Sequence, residues 1–221
     1  MATQLLLELL DNSLEIAKDA DAVIFIGGLD HNYDIEGADR KDMALPYDQD
    51  LIIEKLLDLR PDTVVVLNAG SPVEMPWLDK ANTLVYNYYA GMENGTAIAE
   101  VLFGEVNPSG KLSESMPYRY EDTVTCKNQE FGRPEYVEYK EGIFYGYRYY
   151  EKEGIDVAFP FGFGKSYTTF EYSDLKISET CSNACSSTGC DGSLEIKLTV
   201  KNTGNVDGKE AVQIYIGENN P

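Results

Sequence analysis

Histidine and tryptophan are nearly absent from this 221-residue chain: His31 and Trp77 are the only ones. A lone histidine without placed partners supports neither a Ser/His/Asp triad nor a histidine-based metal cluster. Basic residues are also scarce. Against 38 Asp and Glu stand 18 Lys and Arg, a formal net charge of −20 at pH 7. Such a surface repels polyanions, which argues against DNA or RNA as a partner. It disfavours an anionic membrane surface for the same reason. A neutral ligand such as a sugar meets no such penalty. No apolar run reaches the roughly 20 residues that a membrane helix needs. The N-terminal MATQLLLELLDNSLEIAKDAD has no basic n-region and is interrupted by acids. It does not read as a secretory signal, and the compartment stays open. Cysteines number 4, and Cys181, Cys185 and Cys190 share the Ser/Gly-rich stretch CSNACSSTGC. The spacing is not that of a zinc site, so the stretch reads as an irregular insertion, with a local disulfide if the protein is exported.

What the chain does have is a strand–loop–helix rhythm. Leu5, Leu6, Leu9, Leu10, Leu14 and Ile16 suit an amphipathic helix. Ala22-Val23-Ile24-Phe25-Ile26 predicts a buried strand, and Gln49 to Leu59 an amphipathic helix. Between them lies a long loop, GGLDHNYDIEGADRKDMALP, at the carboxyl end of the strand. Open α/β sheets place their ligands there, and long loops in compact domains tend to be functional. Gly27-Gly28 is no dinucleotide fingerprint, because GxGxxG is incomplete and no helix follows directly.

Further strands are expected at Thr63 to Leu67 and Thr83 to Tyr88, with a short helix at Met75 to Leu78. The Gly-rich turn Ala90 to Gly95 opens a helix from Thr96 to Phe103. The repeated rhythm predicts a mostly parallel sheet with helices on both faces. Asn94-Gly95-Thr96 fits a glycosylation sequon, a pattern common by chance. From Leu112 to about Phe159 periodicity is poor and tyrosine abundant, predicting a connector with partly buried rings. Alternation returns at Thr169 to Tyr172, Leu175 to Ile177, Leu194 to Val200 and Ala211 to Ile216. It predicts the start of a fibronectin III-like β-sandwich, with fewer strands than the roughly 7 such a fold needs. The expected division is an α/β sandwich domain over 1–117, a connector over 118–165 and an incomplete β domain over 166–221.

The motifs, taken in order, resemble a known family. They are Gly27-Gly28-Leu29-Asp30, Glu36-Gly37-Ala38-Asp39-Arg40 with Leu45-Pro46, and Asn68-Ala69-Gly70-Ser71-Pro72-Val73. Ala90-Gly91-Met92-Glu93-Asn94-Gly95, Leu102-Phe103-Gly104 and Asn107-Pro108-Ser109-Gly110-Lys111-Leu112 follow. Tyr145 to Tyr150 and Phe159 to Gly164 with Ser166-Tyr167-Thr168 complete the series. Together they resemble the C-terminal half of glycoside hydrolase family 3, the β-glucosidase and β-xylosidase group.

That resemblance implies a retaining, exo-acting β-glycosidase acting on terminal β-D-glucosyl or xylosyl residues of a β-glucoside or oligosaccharide. It implies that the aspartate nucleophile sits on an N-terminal (β/α)8 barrel, which this sequence does not include. No cofactor and no metal are implied. Glu36 matches the acid/base of the family's loop motif, with Asp34 as the alternative. Asp39 and Arg40 are expected to hold the loop by pairing with each other or with backbone, and with Tyr33 to border the bound substrate. Tyr33 either stacks on a sugar at the aglycone side or packs within the loop. The competing reading is a non-catalytic module that binds carbohydrate or a partner through the same loop and is inactive alone.

Overall fold

The computed structural model describes residues 2–129, 135–136, 138–181 and 192–217. The α/β class expected from the sequence is the one observed. Three parallel strands, β1 (Ile24–Gly28), β2 (Val64–Asn68) and β3 (Thr83–Tyr86), form a sheet in that order. α1 (Ala2–Lys18) precedes β1, α2 (Gln49–Leu59) connects β1 to β2, and α3 (Asn94–Leu102) follows β3, with no α-helix between β2 and β3. A short 3₁₀ turn at Leu78–Lys80 replaces the expected helix at Met75 to Leu78.

β2 is the buried centre. Its β-branched Val65 and Val66, with Leu67, are fully sealed, and Ile53, Leu57, Val73 and Trp77 pack around it. β1 was expected to be buried, and the structure corrects this. As an edge strand it turns only Phe25 inward, leaving Ile24 at 45% and Ile26 at 58% exposure. α1 is tied down at its C-terminal end. Arg60, just after α2, donates from Nη1 to the Ala17 and Ala20 carbonyls at 3.0 and 2.7 Å. A cation that satisfies the last carbonyls of a helix also complements its dipole.

The Tyr-rich stretch is more ordered than its poor periodicity suggested. It contains α4 (Val124–Asn128) and α5 (Tyr147–Glu153), and it ends in β5 (Val157–Phe159), which pairs antiparallel with β4 (Met116–Pro117). Met116 is buried, and Leu112, Ala158 and Phe159 pack on the same core as β2. Residues 1–99 and 112–163 thus form one compact unit.

Residues 100–111 and 164–221 form a second unit. It contains a long antiparallel hairpin, β6 (Phe170–Cys181) with β7 (Gly192–Asn202). The gap in alternation around Ser173 is a bulge between Ser173 and Lys176, with Asp174 in the left-handed region at φ 54°. Register places Tyr172 opposite Val200, and Ile177 opposite Ile196, so apolar side chains gather on one face. Asn107 is the hub: its Oδ1 accepts from Ser166 Oγ and the Tyr167 amide, and its Nδ2 donates to the Asp207 carbonyl. The expected strand at Ala211 to Ile216 is not formed; those residues belong to no ladder. Alternation specifies which side chains share a face, while a strand also needs a neighbouring edge. Beyond Cys181, which ends β6, the cysteine-rich insertion lies outside the described residues.

Candidate active-site loop and cavity

The loop between β1 and α2 is closed at its base by one side chain. Gln49, buried at the start of α2, donates from Nε2 to the Gly28 carbonyl at 2.8 Å and the Pro46 carbonyl at 2.9 Å. Its Oε1 accepts from the Gly28 amide at 2.7 Å. Glycine is required beneath it. A Cβ on Gly27 would lie 2.2 Å from Gln49 Oε1, and one on Gly28 (φ 135°) would lie 1.9 Å from the Asn68 carbonyl oxygen.

The first turn of the loop winds around Asp30. Its carbonyl accepts from the Tyr33 and Asp34 amides, and its carboxylate accepts from the Asn32 amide at 2.8 Å. Tyr47, at the far end of the loop, donates its hydroxyl to Asp30 Oδ2 at 2.7 Å. That bond is the main reason the Asp30 carboxyl titrates below its ordinary value. Tyr47 also meets Tyr33 edge-on, with ring centroids 5.3 Å apart. Tyr47 and Asp48 both hold positive φ, 60° and 54°, which costs a non-glycine residue free energy and is tolerated where surroundings enforce it.

Glu36 occupies the tip of the loop. The Ala38 amide donates to the Ile35 carbonyl at 3.2 Å, and Gly37 has φ 80°, so residues 35–38 form a tight turn. Glu36 is exposed there, and among the described residues nothing pairs with its carboxylate. Arg40 anchors the returning limb: its Nη2 donates to Ser71 Oγ at 2.9 Å and to the Pro72 carbonyl at 3.0 Å. Of the two pairings open to Arg40, the structure has the one to backbone, and no ion pair with Asp39 occurs among the described residues. Ser71 is held in turn, because the Tyr86 hydroxyl donates to its carbonyl at 2.6 Å. Burial raises the Tyr86 phenol well above its ordinary value.

Beside the loop opens a cavity of about 410 Å³. That is within the range of small-molecule sites, roughly 300–1,000 Å³. Tyr33, Asp34, Asp39 and Arg40 from the loop line it, while Glu36 stands outside its wall. Burial, and second the neighbouring Asp34 carboxylate, raise the Tyr89 phenol. The remaining wall comes from residues that sequence reasoning did not single out, among them Glu114, Tyr120, Thr123 and Tyr150. Burial raises the Glu114 carboxyl above its ordinary value and pushes the Tyr150 phenol up to about 12. Neither residue carried a local motif that marked it. Among the described residues no cluster of His, Cys, Asp or Glu is able to hold a metal ion.

A long, braced loop at the carboxyl end of a parallel strand, beside a polar and aromatic cavity, is where open α/β domains place their ligand sites. Residues 7–167 match the model of the glycosyl hydrolase family 3 C-terminal domain, so the chain belongs to glycosyl hydrolase family 3. It is 42% identical over 209 residues to thermostable β-glucosidase B of Acetivibrio thermocellus, covering 95% of this chain and 27% of that protein. It is 44% identical over 216 residues to β-glucosidase BoGH3A of Bacteroides ovatus, covering 94% and 28%. The crystal structure of a β-glucosidase from Kluyveromyces marxianus in complex with glucose superposes with a TM-score of 0.73 at 38% identity. That match covers 90% of this chain and 27% of the other. The chain therefore spans about a quarter of the length of the curated relatives it matches.

Proposed function

We propose that this chain is part of an exo-acting retaining β-glycosidase and supplies its general acid/base, Glu36. A retaining hydrolase needs two carboxyl groups about 5–5.5 Å apart, one to attack and one to protonate the leaving oxygen. In this reading the attacking aspartate lies on an N-terminal (β/α)8 barrel, in the part of the relatives' length that this chain does not span. The aspartate bonds to the anomeric carbon while Glu36 gives its proton to the departing glycosidic oxygen. Glu36 then takes a proton from the water that releases the sugar. Terminal β-D-glucosyl residues are the substrate class, in keeping with the relatives' names; xylosyl residues are the variant.

The observation that carries the reading is the placement of Glu36. It stands exposed at the apex of a tight turn, without a partner among the described residues, on a loop braced by Gln49 and Arg40. A carboxyl so placed is available to a second body, whereas Asp34 lies in the cavity wall beside Tyr89. Docking against a barrel would withdraw Glu36 from water and set it beside the departing oxygen, as an acid catalyst requires.

The test combines the chain with its barrel half and follows hydrolysis of an aryl β-glucoside. Glu36→Ala is expected to lower turnover about 10²–10⁴-fold, the span of general acid–base catalysis, with azide restoring it. Asp34→Ala is expected to retain most of the activity. Full turnover by Glu36→Ala, or azide rescue of Asp34→Ala instead, overturns the assignment.

A further inference from the structure

The long loop ends in a backbone that its own sequence does not favour. Asp48 stands at the N-cap of α2, where aspartate ordinarily holds extended φ/ψ while its carboxylate accepts from the second or third amide of the helix. Here Asp48 is left-handed, at φ 54° and ψ 25°, and makes no side-chain cap bond. Tyr47 before it is left-handed too, at φ 60°. For a bulky side chain that region is sterically costly. Two adjacent residues in unfavoured conformations, one with its cap forgone, persist only where something else holds them.

What holds them is the Tyr47 side chain. Its hydroxyl donates to Asp30 Oδ2 at 2.7 Å and accepts from Asn32 Nδ2 at 3.1 Å, and its ring meets Tyr33 edge-on. Asp30 in turn organises the opening of the loop, taking the Tyr33 and Asp34 amides on its carbonyl. Tyr47 is 54% exposed, so no packed core fixes its ring; these contacts do. One phenol thus joins the two ends of the loop across 17 residues of chain. We propose that Tyr47 is a latch on a strained hinge. Bound to Asp30, it holds the loop in the observed position. Released, it lets Asp48 turn to the extended region and cap α2, and frees residues 30–34 to move. The loop then has two discrete arrangements, the condition for a switch. Combined with the acid/base reading above, on which this part rests, the latched arrangement is the competent one and Tyr47 is a positioning residue for Glu36.

A double-mutant cycle on the full chain reads the hinge without any turnover. Asp48→Gly removes the left-handed cost, and the parent has no cap bond to lose there. The thermal midpoint is expected to rise by about 1–2 °C. In the Tyr47→Phe background the hinge has relaxed and Asp48 caps α2, so the same Asp48→Gly is expected to lower the midpoint. The same sign in both backgrounds overturns the proposal. Tyr47→Phe keeps the ring and removes only the hydroxyl. Hydrogen exchange at the Tyr33 and Asp34 amides is expected to quicken about fivefold, the worth of one exposed hydrogen bond. The Gly28 amide, held by Gln49, is expected to keep its rate. Unchanged exchange at Tyr33 and Asp34, or equal quickening at Gly28, overturns the latch as well. With the barrel half added, Tyr47→Phe is expected to lower kcat about threefold or more and to leave KM nearly unchanged. An unchanged kcat overturns the positioning role. The cycle and the exchange rates do not involve Glu36, so turnover surviving in Glu36→Ala removes the acid/base reading and leaves the latch standing.

Discussion

Gln49 grips Gly28 by both of its backbone groups, accepting from the amide at 2.7 Å and donating to the carbonyl at 2.8 Å. One amide side chain thus joins the end of β1 to the start of α2 and closes the loop that carries Glu36. Gln49→Leu is expected to strip the side-chain partner from the Gly28 amide and carbonyl, while the Pro46 carbonyl keeps the residue-49 amide. The cost is about 2–4 kcal/mol, because unsatisfied buried groups lose their full desolvation energy. Urea unfolding measures the loss, and hydrogen exchange at the Gly28 amide localises it.

Gly28→Ala should be as damaging for a different reason. The new methyl carbon would stand 1.9 Å from the Asn68 carbonyl oxygen, at a φ of 135° that alanine avoids. β1 and β2 would have to separate where they pair. A loss of about 3 kcal/mol or more in denaturant unfolding is expected.

Arg40 is a positioning residue, and lysine is not its equivalent. A lysine ammonium lacks the planar fork that reaches Ser71 Oγ and the Pro72 carbonyl together. In the combined enzyme, Arg40→Lys is expected to lower kcat about tenfold or more, since small displacements of a catalytic group are costly. KM should change less than kcat. An unchanged kcat would show that the returning limb needs no anchor.

The Tyr47 hydroxyl holds the Asp30 pKa down. A depressed folded pKa contributes stability above the unfolded value that is lost as pH falls through the folded one. Tyr47→Phe is therefore expected to move the Asp30 carboxyl titration, followed by NMR, upward toward the ordinary range. The acid limb of the stability profile should flatten.

Asp50 behaves in the opposite sense. Burial raises its pKa, against the bonds from Trp77 and Leu45. Its charged form is penalised fully above the folded pKa and not at all below the unfolded one. Its contribution to stability therefore falls as pH rises between the two. Asp50→Asn keeps an acceptor for Trp77 and is expected to remove that slope without loss at neutral pH. Trp77→Phe removes the donor and is expected to cost about 1–3 kcal/mol. Thermal unfolding across a pH series reads both.

Local chemistry was legible in the chain itself. β-branched runs, glycine turns and polar intervals gave the parallel α/β order and the long loop, because neighbours along the backbone decide those features. The expectation of a buried β1 missed Ile24 and Ile26, since exposure depends on what packs over each face of the sheet. The Tyr-rich stretch hid α4, α5 and β5, because β5 forms only where β4 offers an edge. Tertiary structure alone brought Glu114 and Tyr150 to the cavity that Arg40 and Tyr33 line, and gave Arg40 its anchor at Ser71. Such meetings join residues far apart in sequence, and no periodicity or motif records a contact that chain folding has yet to make.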